Sequence, residues 1–407
     1  MRAMRVLRSI AFLLIASPLA AQEIGKPLPA WSRGVLDIHQ ISTGRGNSAF
    51  LMFPDGTTML VDAGAANDGV KMADTDPRPD ASRTAGGWIV RYVERAMAPA
   101  APHLDYAVLT HFHADHMGAP TAASLPSKSG TFKLTGIAEV GEAIPIDTLI
   151  DRGYAYLPPP EDAMLKNFHA FMSAYKERMR EETIKVGRAD QIVLRHDATA
   201  FPNFEVRNVA GSGMVWTGSG DDARSIFPPL DSIAAEDKPS ENMCSIGLRI
   251  RYGKFDYFTG GDMPGVPDAG APEWQSVEAA VAKVIGPTDV HVANHHGSID
   301  PESAFFLSTL RSSVIIVPAW SATHPSQDSL KRMMAARLYP GPRDIFITTL
   351  REPTKASIGS RVDQLKAQHG HIVFRVAPGG DEYRVFVIDD MSDSGNVVAM
   401  FGPYAAK

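Results

Sequence analysis

Three histidines and an aspartate fall within six consecutive positions of the chain, HFHADH at 111–116. They follow directly on YAVLT, an apolar run that is typical of a short buried strand. A loop at the end of such a strand can direct several side chains to one point, and imidazole nitrogens and carboxylate oxygens are ligands of zinc and related divalent ions. With 13 histidines in 407 residues, chance yields this pattern in about one of a thousand such chains. The segment therefore predicts a metal site, with these candidate ligands: His111, His113, Asp115 and His116.

Two later strand ends offer further ligands. One apolar run ends in FTGGD at 258–262, where the glycines allow a sharp turn and a close approach of other groups to Asp262. A carboxylate in that position is a candidate bridge between two metal ions. The run DVHVA is followed by NHHGS at 294–298, which adds His295 and His296. The residues alone do not decide between these two imidazoles, although the neighbouring glycine favours His296.

Two more residues are candidates for supporting roles. Asp62 ends an apolar run in LVDAG at 60–64, and it either caps a turn or accepts a hydrogen bond that orients a ligand histidine or the reacting water. His324 follows the apolar run VIIVPAW, and it is either structural or the group that donates a proton to a leaving group. We therefore treat Asp62 and His324 as candidate catalytic residues beside Asp115, which is both a metal ligand and a candidate proton acceptor.

In chain order, Asp62, the 111–116 cluster, Asp262 and the 295–296 pair resemble the metallo-β-lactamase superfamily. More narrowly, ENMCS at 241–245, YGKFDYFTGGD, NHHGS and THP at 323–325 resemble the hydrolase domain of DNA-uptake competence proteins. The resemblance covers nearly all of the chain after residue 21 in outline. It implies an α/β fold, the αββα four-layer sandwich, with His111 and His113 on one metal, Asp115 and His116 on the other, and Asp262 between them.

One position departs from the broader superfamily, in which many members carry a further metal-binding histidine. Asn242 stands there, twenty residues before Asp262, and the competence-type branch also tends to have asparagine. The substitution leaves the first metal short of a protein ligand. The Asn242 oxygen or additional water would complete its coordination, and His169 and His196 are less favoured substitutes because they lie in a variable region.

The remaining pattern predicts an α/β protein with two sheets. Strand-like runs occur near both ends of the chain, and PDG at 54–56 indicates a hairpin within the first of them. Helical periodicity in WIVRYVERAM, EWQSVEAAVAKVI and QDSLKRMMAARL places helices outside the sheets. Residues 145–235 are rich in proline and turn signals, and we predict that they form an insertion over one face, with a charged helix from 163 to 183.

The first 21 residues have the pattern of a secretory signal peptide, with three arginines, an apolar run at 10–15 and small residues up to Ala21. The run is shorter than the about 20 residues that span a bilayer. We therefore expect a signal peptide at 1–21, a hydrolase domain at 22–407 without a membrane span, and a periplasmic or secreted location. Cys244 is the single cysteine, so no intrachain disulfide is expected.

The predicted function is metal-dependent hydrolysis. Two divalent ions, with zinc the first choice and manganese the alternative, would activate a water molecule. A phosphodiester is the leading substrate, a lactam, lactone or other ester is the second, and a non-catalytic metal-containing binding protein is the third reading. The net charge of −6 and the acidic residues interleaved with the lysines and arginines of 166–188 argue against a stable complex with nucleic acid.

Overall fold

Two β-sheets stack face to face at the centre of the computed structural model, which describes residues 22–66, 77–154, 156–267 and 270–407. The predicted signal peptide at 1–21 lies outside the described residues. The first sheet consists of β1 (Leu36–Gln40), β2 (Ala49–Met52), β3 (Thr58–Val61), β4 (Leu104–Val108), β5 (Ile146–Asp151), β6 (Arg180–Thr183), β15 (His371–Val376), β16 (Glu382–Ile388) and β17 (Val397–Ala405). Their order across the sheet is β17-β16-β15-β1-β2-β3-β4-β5-β6.

The second sheet has eight strands in the order β14-β13-β12-β11-β10-β7-β8-β9. These are β7 (Phe204–Gly211), β8 (Met214–Trp216), β9 (Ala223–Ser225), β10 (Gly247–Tyr252), β11 (Phe255–Thr259), β12 (Val290–Val292), β13 (Val314–Val317) and β14 (Asp344–Ile347). The helices are α1 (Ala85–Met97), α2 (Ala114–Met117), α3 (Gly136–Ala143), α4 (Ala163–Tyr175), α5 (Val277–Ile285), α6 (Ala304–Leu310), α7 (Gln327–Met333) and α8 (Glu352–Ile358).

The side chains of alternate strand residues point to opposite faces of a sheet, so each sheet packs against a different layer on each face. Leu51 of β2 and Ile316 of β13 belong to one cluster that fills the space between the sheets. Their neighbours Phe50 and Ile315 point outward, into clusters shared with α1, α3 and α4 on one side and with α6, α7 and α8 on the other. Each fully buried side chain of this size contributes about 1.5–3 kcal/mol. The predicted α/β sandwich of helix, sheet, sheet and helix is therefore confirmed.

Parallel pairing of strands places the segments that carry the candidate metal ligands at one edge of each sheet. β3 and β4 are parallel, as are β11 and β12. Asp62 follows β3 and the 111–116 loop follows β4, whereas Asp262 and the 295–296 pair follow β11 and β12. Because the carboxyl ends of parallel strands meet at the same edge, both sheets deliver these residues to one end of the sandwich.

The region predicted to be an insertion, residues 145–235, differs from the prediction. It supplies β5 and β6 to the first sheet and β7, β8 and β9 to the second, so much of it is part of the core architecture. The predicted helix from 163 to 183 is also too long, since α4 ends at Tyr175. Arg180–Thr183 instead pairs with β5, because an outermost strand tolerates the charged sequence REET. Within the described residues, no helix is both long and apolar enough to cross a bilayer.

Candidate metal centre

The loop at 111–116 is held against two neighbouring loops by backbone hydrogen bonds. The Asn47 N–H donates to the Asp115 carbonyl at 2.8 Å, and the Ala63 N–H donates to the His116 carbonyl at 2.8 Å. A Cβ placed on Gly64 would lie 2.0 Å from the Asp115 carbonyl oxygen, so this approach requires glycine. The loop is therefore fixed by backbone contacts before its side chains bind anything.

Six of the predicted ligands form two groups that share Asp262. One group is His111, His113 and Asp262, and the other is Asp115, His116, Asp262 and His296; within each group the candidate ligand atoms lie within 4.8 Å of one another. The two carboxylate oxygens of Asp262 face different groups. Oδ2 is 3.7 Å from His111 Nε2, and Oδ1 is 3.1 Å from His116 Nε2. Each oxygen of this carboxylate therefore faces a different group of candidate ligand atoms.

The electrostatics of the two groups suit a bound cation. Burial opposes ionisation of Asp262, but the imidazoles of His116 and His296 hold the pKa of its carboxyl well below the usual range. Burial also opposes a proton on His116, yet Asp262, Asp62 and Asp115 raise its pKa well above the ordinary value, so a bound cation would take the place of that proton. Burial lowers the pKa of His111, and the neighbouring His116 lowers it further, which keeps an imidazole neutral as ligation requires. The nitrogen and oxygen donors present therefore fit divalent ions such as zinc.

Hydrogen bonds to the Nδ1 atoms orient the two buried histidines of the second group. His116 Nδ1 is 2.7 Å from Asp62 Oδ2, and His296 Nδ1 is 3.0 Å from the Pro318 carbonyl oxygen. Asp62 is fixed in turn, because Oδ1 accepts the Thr110 N–H at 2.8 Å. Both Nε2 atoms are left facing the centre. Asp62 thus lies where the sequence predicted an orienting acceptor.

We expect Asp62→Asn to lower zinc affinity by about 10–100-fold, the usual cost of losing a partner that orients a metal ligand. Asparagine keeps the size of the side chain and tolerates the φ of 60° at this position. Its amide N–H group is a donor, however, and would face neighbours that themselves donate hydrogen bonds. Calorimetric titration with zinc measures the effect. Asp289→Asn is the control, because Asp289 is equally buried at 1% exposure and precedes β12 at the opposite edge. Equal affinity losses in both variants would contradict the role.

His295 and His296 have different surroundings, although both have left-handed φ values of 44° and 54°. His296 Nε2 lies 3.0 Å from Asp115 Oδ2, inside the second group. His295 lies at the rim, where its Nδ1 contacts Asp300 Oδ1 at 2.8 Å and its Nε2 is 3.9 Å from Asp262 Oδ2. The structure therefore places His296 among the ligand atoms and His295 beside the first group.

Asn242 also lies at this rim. Its Nδ2 is 3.2 Å from His295 Nε2, and its buried Oδ1 has no hydrogen-bond partner among the described residues. An acceptor buried without a partner costs about 1–3 kcal/mol, which a cation would offset. The other suggested substitutes lie elsewhere, since His169 contacts Glu161 and His196 lies near Asp105.

His324 stacks on a candidate ligand. Its ring lies 4.8 Å from that of His296 with 21° between the planes, and Trp320 packs against it edge-on at 5.5 Å. Burial lowers the pKa of His324 well below its usual value. In the part of the chain that the structure describes, Nδ1 is buried without a partner. His324 therefore lies beside the centre, and its imidazole ring is neutral.

Sequence reasoning missed Arg152, which packs against the ligand loop and fixes a residue that binds it. Its guanidinium binds both oxygens of Glu241, at 2.7 and 2.5 Å, and lies 4.7 Å from the Phe112 ring centre. Glu241 Oε1 also accepts the Phe112 N–H at 2.8 Å. The glutamate belongs to the ENMCS motif, but a lone arginine after a strand carries no comparable signal.

Comparison with known proteins finds one family match. Residues 42–119 match the sequence model of the metallo-beta-lactamase superfamily, so this segment is similar to that superfamily. The matched segment contains Asp62 and the entire 111–116 loop. No curated protein matches the chain.

Three solved structures share low similarity with the chain. A mutant of the CmlA beta-hydroxylase is 12% identical with a TM-score of 0.37, over 78% of this chain and 53% of that one. Zn(2+)-bound PqqB from Methylobacterium extorquens is 13% identical with a TM-score of 0.38, over 80% and 86%. A protein of unknown function from Enterococcus faecalis is 14% identical with a TM-score of 0.29, over 63% and 49%. The chain thus spans about half the length of the first and third of these proteins.

Proposed function

We propose that this protein is an exported hydrolase that uses two divalent cations, zinc or else manganese, to cleave a phosphodiester. The observation that carries the proposal is the position of Asp262, whose two oxygens face two separate groups of ligands. When bound in such a pair, divalent cations lower the pKa of a water towards about 7 and polarise the group under attack.

The side chains of the centre divide into buried and accessible members. Those of His116, His296 and Asp262 are at most 4% exposed, whereas those of Asp115 and His295 are 17% and 26% exposed. Substrate therefore approaches from the side of Asp115 and His295. We assign Asp115 as the acceptor of the proton that the attacking water releases, since its carboxylate is the accessible acidic member of the second group.

His324 is the candidate donor to the leaving group, because it stacks beside His296 at the centre. A neutral imidazole can still donate an N–H hydrogen bond to a departing oxygen. Its contribution is measured by comparing the turnover of His324→Gln with that of the unsubstituted protein.

Two considerations support a phosphodiester over other substrates. A pair of cations suits an anionic phosphate, and the motifs ENMCS, FTGGD and NHHGS resemble those of DNA-uptake competence hydrolases. A stable nucleic-acid complex is not part of the proposal. The basic residues of 166–188 are partly neutralised by acidic neighbours, as in Arg188 with Asp190 and Asp221 and in Lys185 with Glu182.

The decisive experiment is an assay of chelator-treated protein reloaded with zinc or manganese, with bound metal measured on the same sample. We expect metal-dependent turnover of bis(p-nitrophenyl) phosphate, with single-stranded DNA as the test of a nucleic-acid substrate. Turnover of nitrocefin alone would replace the phosphodiester with a lactam. Failure to turn over any of the three in a metal-loaded sample would indicate a binding protein.

Export is proposed from the first 21 residues alone. Cleavage after Ala21 would leave a mature chain beginning at Gln22. Amino-terminal sequencing of the protein recovered from the periplasm or medium tests this, and an intact Met1 would contradict it.

A further inference from the structure

A second cluster of side chains that could hold a metal ion lies at the opposite end of the first sheet. His103, Asp105 and Asp147 each offer a ligand atom, and these atoms lie within 4.8 Å of one another. His103 Nε2 is 3.2 Å from Asp147 Oδ2. Strand register explains the grouping. Leu104 is opposite Ile146, so Asp105 and Asp147 are neighbours on one face, and His103 shares it two residues earlier.

A second imidazole lies near this cluster, although it is not among the atoms that all lie within 4.8 Å of one another. His196 Nε2 is 3.8 Å from Asp105 Oδ2. The backbone around it is tied to the turn between β2 and β3, because the His196 N–H donates to Asp55 Oδ2 at 2.9 Å and the Arg195 N–H donates to Thr57 Oγ1 at 2.7 Å. One imidazole and two carboxylates, with water or the His196 imidazole as a further ligand, are nitrogen and oxygen donors that zinc accepts.

Asp105 is fixed and buried, while the three side chains around it reach solvent. Asp105 is 4% exposed, and its Oδ2 accepts the N–H and the hydroxyl of Thr58 at 2.8 and 3.0 Å. The side chains of His103, Asp147 and His196 are 41%, 53% and 54% exposed. An ion can therefore enter from solvent and meet a carboxylate already in place.

This cluster is separate from the hydrolytic centre. His103 precedes the first residue of β4, and the 111–116 loop follows its last. At about 3.3 Å per residue, the length of β4 separates the two ends by roughly 16 Å. A shared ion is therefore impossible.

We propose that His103, Asp105 and Asp147 bind a zinc ion at the amino-terminal edge of the first sheet, with His196 beside it. The ion would join the start of β4 to the start of β5. The proposal does not depend on the hydrolase function, because none of these residues belongs to the groups around Asp262.

The test removes the hydrolytic centre and asks whether zinc still binds. The full chain carrying His116→Ala and Asp262→Ala, which leaves only two ligands in each group of the centre, is freed of metal and titrated with zinc by calorimetry. We expect one equivalent to bind at micromolar concentration and the thermal midpoint of unfolding to rise. Adding His103→Ala should abolish both effects. His169→Ala is the matched control, because His169 pairs with Glu161 at 3.0 Å and is 43% exposed, yet has no third ligand in any described cluster.

Three results would overturn the proposal. They are the absence of zinc binding in the doubly substituted chain, binding at millimolar zinc alone, and equal losses in the His103→Ala and His169→Ala variants. Should the doubly substituted chain fail to fold, the same question is asked by metal analysis of His103→Gln and Asp147→Asn in the otherwise unsubstituted protein. Each should hold one zinc fewer than the unsubstituted chain, and unchanged content would again reject the site.

Discussion

Turnover of a phosphodiester substrate should fall to background in Asp262→Ala and in His113→Ala. Loss of a partner that only orients a metal ligand costs about 10–100-fold, so loss of a ligand should cost more. Asp262 should have the larger effect on metal content, because its two oxygens face both groups. The measurements are turnover of bis(p-nitrophenyl) phosphate and zinc content of the same samples.

Both variants should remain folded, because they remove ligands and very little core volume. Circular dichroism and the urea midpoint check this. The His169→Ala variant, which changes a surface histidine paired with Glu161, serves as the control for substitution itself. Rates equal to those of the unsubstituted protein in either ligand variant would show that the centre is not the site of hydrolysis.

A large loss of stability is expected from Arg152→Met. The Arg152 side chain is fully buried, and its guanidinium satisfies the Glu241 carboxylate, which is 14% exposed. Removal of one partner from a buried ion pair costs about 3–5 kcal/mol, because the other charge is left uncompensated. The free energy of unfolding in urea measures this cost. Zinc affinity should fall as well, since Glu241 also holds the Phe112 N–H inside the ligand loop.

Arg375→Met is the matched control for the arginine. Arg375 pairs with the fully buried Asp37 at 2.9 and 2.6 Å, in strands far along the sheet from β4. It should lower stability by a similar amount and leave zinc affinity unchanged. If both variants lose affinity alike, Arg152 acts through overall stability and not through the loop.

The sequence was most informative where ligands follow strand ends. The HFHADH and FTGGD segments carry their own turn chemistry, so the residues that converge there could be predicted before their distances were known. The choice between His295 and His296 as the ligand could not be predicted in this way. Both have left-handed backbone conformations, and their side-chain directions depend on the loop that carries them.

The errors came from contacts distant in the chain. Helical periodicity continued past Tyr175, but pairing with β5 made Arg180–Thr183 a strand. No prediction covered β17, which contains Gly402 and Pro403 and is stabilised by pairing with β16. Arg152 and Glu241 are 89 positions apart, and no local sequence pattern predicts their contact.

The shared position of Asp262 has a consequence for how the protein would acquire its ions. A cation held by either group would contact one oxygen of this carboxylate and leave the other oxygen facing the second group. Occupancy of one group would therefore change the affinity of the other, and Asp262→Ala would remove a ligand from both at once.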